Sequence, residues 1–145
     1  MGSISVTQIQ SNQLNRISRS GGDILHAIKN SDPGFKAFGE AYFSMVEFGA
    51  IKAWKRHSRM TLNFIVPHGS IHFVFIDDLG LVREEILGLN SCYKRLTVPP
   101  MIWFGFKGLA FPYSLLMNIA DIPHDPNESE TICFNSINFN WNLRK

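Results

Sequence analysis

The chain has 145 residues, of which 45% are apolar and 18% charged, a length and composition that suit one ordinary domain and exclude a disordered segment. Fourteen Lys and Arg against twelve Asp and Glu leave a formal charge of +2, too small to point to nucleic acid without a clustered patch. No apolar run approaches the roughly 18 residues of a spanning helix, the polar residues 1–13 lack the basic-then-apolar order of a secretion signal, and Cys92 and Cys133 form no CxxC pair, so a cytoplasmic protein is expected, away from membranes.

Taken in chain order, residues 1–20 read as an extended arm. Gly21-Gly22 and Asp32-Pro33-Gly34 are turn signals that bracket a short segment over 23–29, extended or weakly helical. A single helical turn is expected over 35–39. Strands are then predicted over 41–48, 51–57, 62–66, 71–76, 82–87, 93–98, 102–106, 115–119 and 137–141. They are punctuated by Pro67-His68-Gly69-Ser70, Pro99-Pro100, Gly108 and Pro112. Several of these strands are nearly continuous in apolar residues, which implies burial on both faces, as in a small closed barrel or sandwich. With no long capped helix, no internal repeat and no linker, one all-β domain over 1–145 is the simplest account.

The strings Gly39-Glu-Ala-Tyr-Phe-Ser44, Ile51-Lys-Ala-Trp54 with His57, Arg59-Met-Thr-Leu-Asn63, Gly69-Ser-Ile71, Asp77-Asp78, Val98-Pro-Pro100, Trp103-Phe-Gly-Phe106 and Asn118-Ile-Ala-Asp-Ile-Pro-His-Asp-Pro126 occur in that order. Together they resemble short members of the dTDP-4-dehydrorhamnose 3,5-epimerase family, over about residues 21–141. The resemblance implies a cupin-type barrel (a double-stranded β-helix or jelly roll), a homodimer, a nucleotide-linked 4-keto-6-deoxy sugar as ligand, and no cofactor. It also implies a reaction in which a proton leaves a carbon beside the sugar ketone and another arrives on the opposite face. Such chemistry needs a base, a cation or donor for the enolate oxygen, and an acid opposite the base.

Residue by residue, the family's Arg-Gly-Leu-His string matches Lys52-Ala53-Trp54-Lys55, so Lys52 keeps the positive charge and Lys55 replaces the histidine. A further family histidine falls on Phe104, its lysine and aspartate fall near Leu62 and Phe73, and the aspartate that orients the catalytic histidine falls near Asn135 or Ser136. Many cupins hold a metal with a His-x-His pair, a later Glu and a further His. Here the pair reads Lys55-Arg56-His57 and the later position is Phe104, so no metal is expected.

Strict strand alternation puts Lys55 and His57 on one face and Lys52, Trp54 and Arg56 on the other. The resemblance requires Lys52 and position 55 to share the pocket, which needs a bulge or a strong twist between them. Lys55 and His57 are thus the candidate catalytic residues, and Lys52, Arg59, Trp103, Asn63, His124 and Asp121 the candidate substrate contacts. Trp103 also reads as a core aromatic, and Asp121 and His124 as parts of a rigid loop. Two classes of function fit these residues: an isomerase of a nucleotide-linked keto sugar, and a sugar-binding cupin without turnover. A structural dimer module whose basic cluster meets an acidic surface is a third.

Overall fold

A computed structural model describes residues 3–142. Twelve strands carry the fold: β1 (Gln10–Gln13), β2 (Arg16–Ile17), β3 (Ile24–Leu25), β4 (Glu40–Glu47), β5 (Ile51–His57), β6 (Leu62–His68), β7 (Ser70–Ile76), β8 (Val82–Gly88), β9 (Lys94–Val98), β10 (Trp103–Gly108), β11 (Tyr113–Ala120) and β12 (Ser129–Thr131). Among the described residues the only helices are single 3-10 turns at Val6–Gln8 and Phe134–Ser136. One sheet runs β1-β9-β6-β11-β4 and the other β12-β5-β10-β7-β8, while β2 and β3 form a separate ribbon. Every ladder is antiparallel.

The near-continuous apolar runs have a structural cause. Leu62, Phe64 and Val66 of the first sheet and Ile71, Phe73 and Phe75 of the second face each other in the main core, joined by Leu96, Val98, Phe104, Phe106 and Leu116. Phe64 stacks on Phe73, with ring centroids 5.3 Å apart. The outer faces are covered too. Over the second sheet, Ile137, Phe139 and Trp141 pack on Trp54 and Val74. Over the first, residues 26–34 are pinned by Arg95, a buried guanidinium that donates to the carbonyls of Ala27 and Pro33 and to Asn63 Oδ1. Burial pushes the Arg95 guanidinium down despite Asp32, whose carboxylate lies 3.7 Å away. At Gly34 a side chain would collide with Thr97, and its φ of +87° favours glycine.

Three expectations need correction. The alternating apolar pattern of 137–141 is real, but this segment is an irregular cover that pairs with no strand. No helical turn forms over 35–39, whereas of the two readings of 23–29 the extended one holds, as β3. Residues 1–20 are more than an arm: Val6 and Ile9 enter the core and β1 extends the first sheet beside β9.

Candidate functional site

The barrel interior between β4, β5, β10 and β11 holds a cavity of about 140 Å³ lined by Tyr42, Ser44, Lys55, His57, Phe64, Phe104, Phe106, Leu116 and Asn118. Its geometry depends on one irregularity in β5. Phe104 pairs with Lys55, but Gly105 pairs with Ala53 and Phe106 with Lys52, so Trp54 is an extra residue on β5. The bulge resets the alternation. Because Phe104 and Phe106 share the inner face, Lys55 and Lys52 are brought to it together, while Trp54 is buried in the outer cluster. Gly105 makes room: a Cβ there would stand 2.5 Å from the Ala53 Cβ and 3.1 Å from the Trp54 ring.

His57 closes one end of the cavity. Its ring lies parallel to Phe104, with centroids 6.1 Å apart. Its Nδ1 donates to the carboxylate of Glu128, a buried residue just before β12, which leaves Nε2 as the nitrogen available to the cavity. Glu128 also accepts from the backbone N–H groups of Arg59 and Met60, both at 3.0 Å. Burial pushes the Glu128 carboxyl up, but the hydrogen bonds from His57 and the two amides outweigh it and hold the group below the usual carboxylate range. On the opposite wall, Asn118 Nδ2 donates to the Tyr42 hydroxyl oxygen at 2.9 Å. The phenolic hydrogen is therefore free to point at a ligand.

The candidate residues from the sequence separate into three groups. Lys55 and His57 line the cavity together. Lys52 continues the same face toward the rim, where its Nζ donates to the Met45 carbonyl of β4 at 3.1 Å. The remaining candidates are engaged elsewhere. Arg59 is exposed and paired with Asp125. Asp121 accepts from the Thr61 amide, and His124 is exposed in the following loop. Trp103 projects from the outer face of β10, where the Arg56 guanidinium stacks over it at 4.6 Å. Asn63 points to the outer face of the first sheet, accepting from Arg95 and Thr97 and donating to the Gly34 carbonyl.

The run from Lys52 to Arg59 is thus divided between cavity, outer face and rim and does not form a patch. Sequence reasoning missed Glu128, Tyr42, Ser44 and Asn118. The polar string Asn127-Glu-Ser-Glu130 gives no strand pattern, and only the pairing of β12 with β5 brings Glu128 to His57. Among the described residues no three His, Cys, Asp or Glu side chains stand where they could share a metal ion, and no helix is long and apolar enough to cross a membrane.

No family model matches the chain. It is similar to the solved dTDP sugar isomerase of Desulfovibrio desulfuricans G20, with 39% identity, a TM-score of 0.88, and coverage of 92% of this chain and 90% of that one. A dTDP-4-dehydrorhamnose 3,5-epimerase from Bacillus anthracis, solved with TDP and PPi bound, superposes with a TM-score of 0.82 over 99% of this chain and 91% of that one, at 18% identity. At that identity it is the cupin barrel alone that is shared. Among curated proteins, the probable low-salt glycan biosynthesis epimerase Agl13 of Haloferax volcanii is 29% identical over 85 residues, 54% of each chain, so the chain spans about half the length of the curated relative it matches.

Proposed function

We propose that the chain, which belongs to the same family as the dTDP sugar isomerase it matches at 39% identity, is an epimerase or isomerase of a nucleotide-linked 4-keto-6-deoxy sugar, of the dTDP-4-dehydrorhamnose 3,5-epimerase kind. The observation that carries the proposal is the buried pair of His57 and Glu128 at the end of a cavity that also holds Lys55. His57 Nε2 takes the proton from a carbon beside the ketone. Glu128 fixes the ring orientation and stabilises the imidazolium that forms. The Lys55 ammonium carries the charge that develops on the ketone oxygen as the enolate forms. The Tyr42 hydroxyl, held from behind by Asn118, returns a proton from the other wall. The C–H electron pair moves into the enolate and returns to the new C–H bond, so the step balances without a redox partner. Lys52, at the rim, suits the diphosphate, with Arg59 further out.

The family positions that fall on Phe104, Leu62 and Phe73 carry apolar side chains packed in the core. In this reading Glu128 takes the orienting role expected near Asn135 or Ser136. The reading includes a homodimer, supported by β4, a sheet edge flanked by exposed Phe43, Met45, Phe48 and Phe111. It also includes the cytoplasm, where two free cysteines persist.

The test is deuterium wash-in from solvent into dTDP-4-keto-6-deoxyglucose, followed by mass and position. The wild type should exchange a carbon-bound hydrogen beside the ketone. His57→Ala should lower the rate by roughly a hundredfold or more while binding stays within a few-fold, and Lys55→Ala should weaken both. Tight binding with no exchange would leave a sugar-binding cupin without turnover as the better account.

A further inference from the structure

The wall of the cavity across from His57 carries one polar group with nothing to bind. Asn118, on β11, is 3% exposed and lines the cavity. Its Nδ2 is used by Tyr42, its pairing partner on β4, but its Oδ1 is buried with no hydrogen-bond partner. Of the other side chains that line the cavity, Phe64, Phe104, Phe106 and Leu116 cannot donate, and none of the donors, Tyr42, Ser44, Lys55 and His57, bonds to this oxygen. A buried carboxamide oxygen left in this state opposes closure of the site around any ligand that does not supply a donor.

The structure leads us to infer that Asn118 Oδ1 is the specificity-determining acceptor for a hydroxyl beside the ketone, so that the site selects 3-hydroxy-4-keto sugars over analogues that lack a donor at that carbon. This rests on the keto-sugar reading above. In a 4-keto-6-deoxy hexose the two carbons flanking the ketone differ in chemistry. One bears the methyl group and the ring oxygen, neither of which donates, and the other bears a hydroxyl. Only the hydroxyl satisfies Asn118, and the methyl group matches the aromatic and aliphatic wall. At about 140 Å³ the cavity has room for one sugar ring and not for a nucleoside as well, so the nucleotide extends outward on the Lys52 side. Tyr42 and Asn118 then act on neighbouring atoms: the phenol faces the carbon to be protonated, and the amide oxygen holds the hydroxyl on it.

The experiment is a calorimetric titration of the unmodified protein with dTDP-4-keto-6-deoxyglucose and with its 3-fluoro and 3-deoxy analogues. Fluorine fills nearly the space of a hydroxyl and can accept but not donate. The parent should bind roughly tenfold to a hundredfold more tightly than either analogue. In Asn118→Leu the three should fall within about threefold of each other, through loss of affinity for the parent. A 3-fluoro analogue that binds the wild type as tightly as the parent overturns the inference while leaving the keto-sugar reading intact. Failure of the parent itself to bind overturns that reading, and this inference with it. Because the ligand series on the wild type decides the question, a poorly folding Asn118 variant does not block it.

Discussion

Glu128 carries an unusual share of the site for one side chain. It accepts from His57 Nδ1 and from the Arg59 and Met60 amides, and its neighbour Ser58 donates to the Glu128 carbonyl. Its carboxyl is held below the ordinary carboxylate range in the folded protein, so the sign of its linkage to stability is fixed. The contribution is complete above the carboxyl's unfolded value and is lost as the pH falls through its folded one. Thermal unfolding followed across the acid range should show the midpoint dropping there, and Glu128→Gln should remove part of that slope. At neutral pH the same variant should be less stable by about 1–3 kcal/mol, because it weakens three hydrogen bonds, two of them from the buried His57 and Met60. It should also slow wash-in with little effect on binding, since it acts through His57. His57 itself was legible as a candidate from its place after Lys55. Its partner was not, because the contact is made between residues 71 apart in the chain.

Among the elements, β5 is where sequence patterning and structure diverge most usefully. The predicted limits of residues 51–57 agree with the strand, but period-two alternation fails inside it because Trp54 is an inserted residue. No residue type in Lys52-Ala53-Trp54-Lys55 announces a bulge; the clue lies on the partner strand, in Gly105. Gly105→Ala should place a methyl group against Ala53 and Trp54, cost about 1–3 kcal/mol, and lower wash-in more than it lowers binding, by shifting Lys55 relative to His57. Unfolding and exchange rates of this one variant check both parts. Trp103 and Asn63 were read from their family strings without knowledge of which face each strand turns inward. A one-residue phase decides that face, and it is set by register. Residues 137–141 show the converse: an alternating apolar pattern reports a face to be buried, and a cover strip needs that as much as a strand does.

For the whole molecule, two sheets with apolar inner faces were legible because their strands are short, apolar and divided by Gly and Pro. The order of strands in each sheet was not, since it is fixed by pairings distant in sequence. The same topology leaves β4 at an edge with Phe43 and Met45 exposed. If this edge joins two copies, Phe43→Asp combined with Met45→Asp should shift sedimentation at tens of micromolar from dimer to monomer. An unaltered dimer would move the interface elsewhere. The bond between Glu128 and His57 has a consequence in time as well. Strands β1 to β11 all precede residue 128, so until that residue docks the histidine has no counter-charge and no fixed tautomer. During refolding, therefore, the circular-dichroism signal of the sheets should run ahead of regained wash-in, and the interval between them times the docking of β12 on β5. Proton abstraction would then be withheld from every species short of the finished fold.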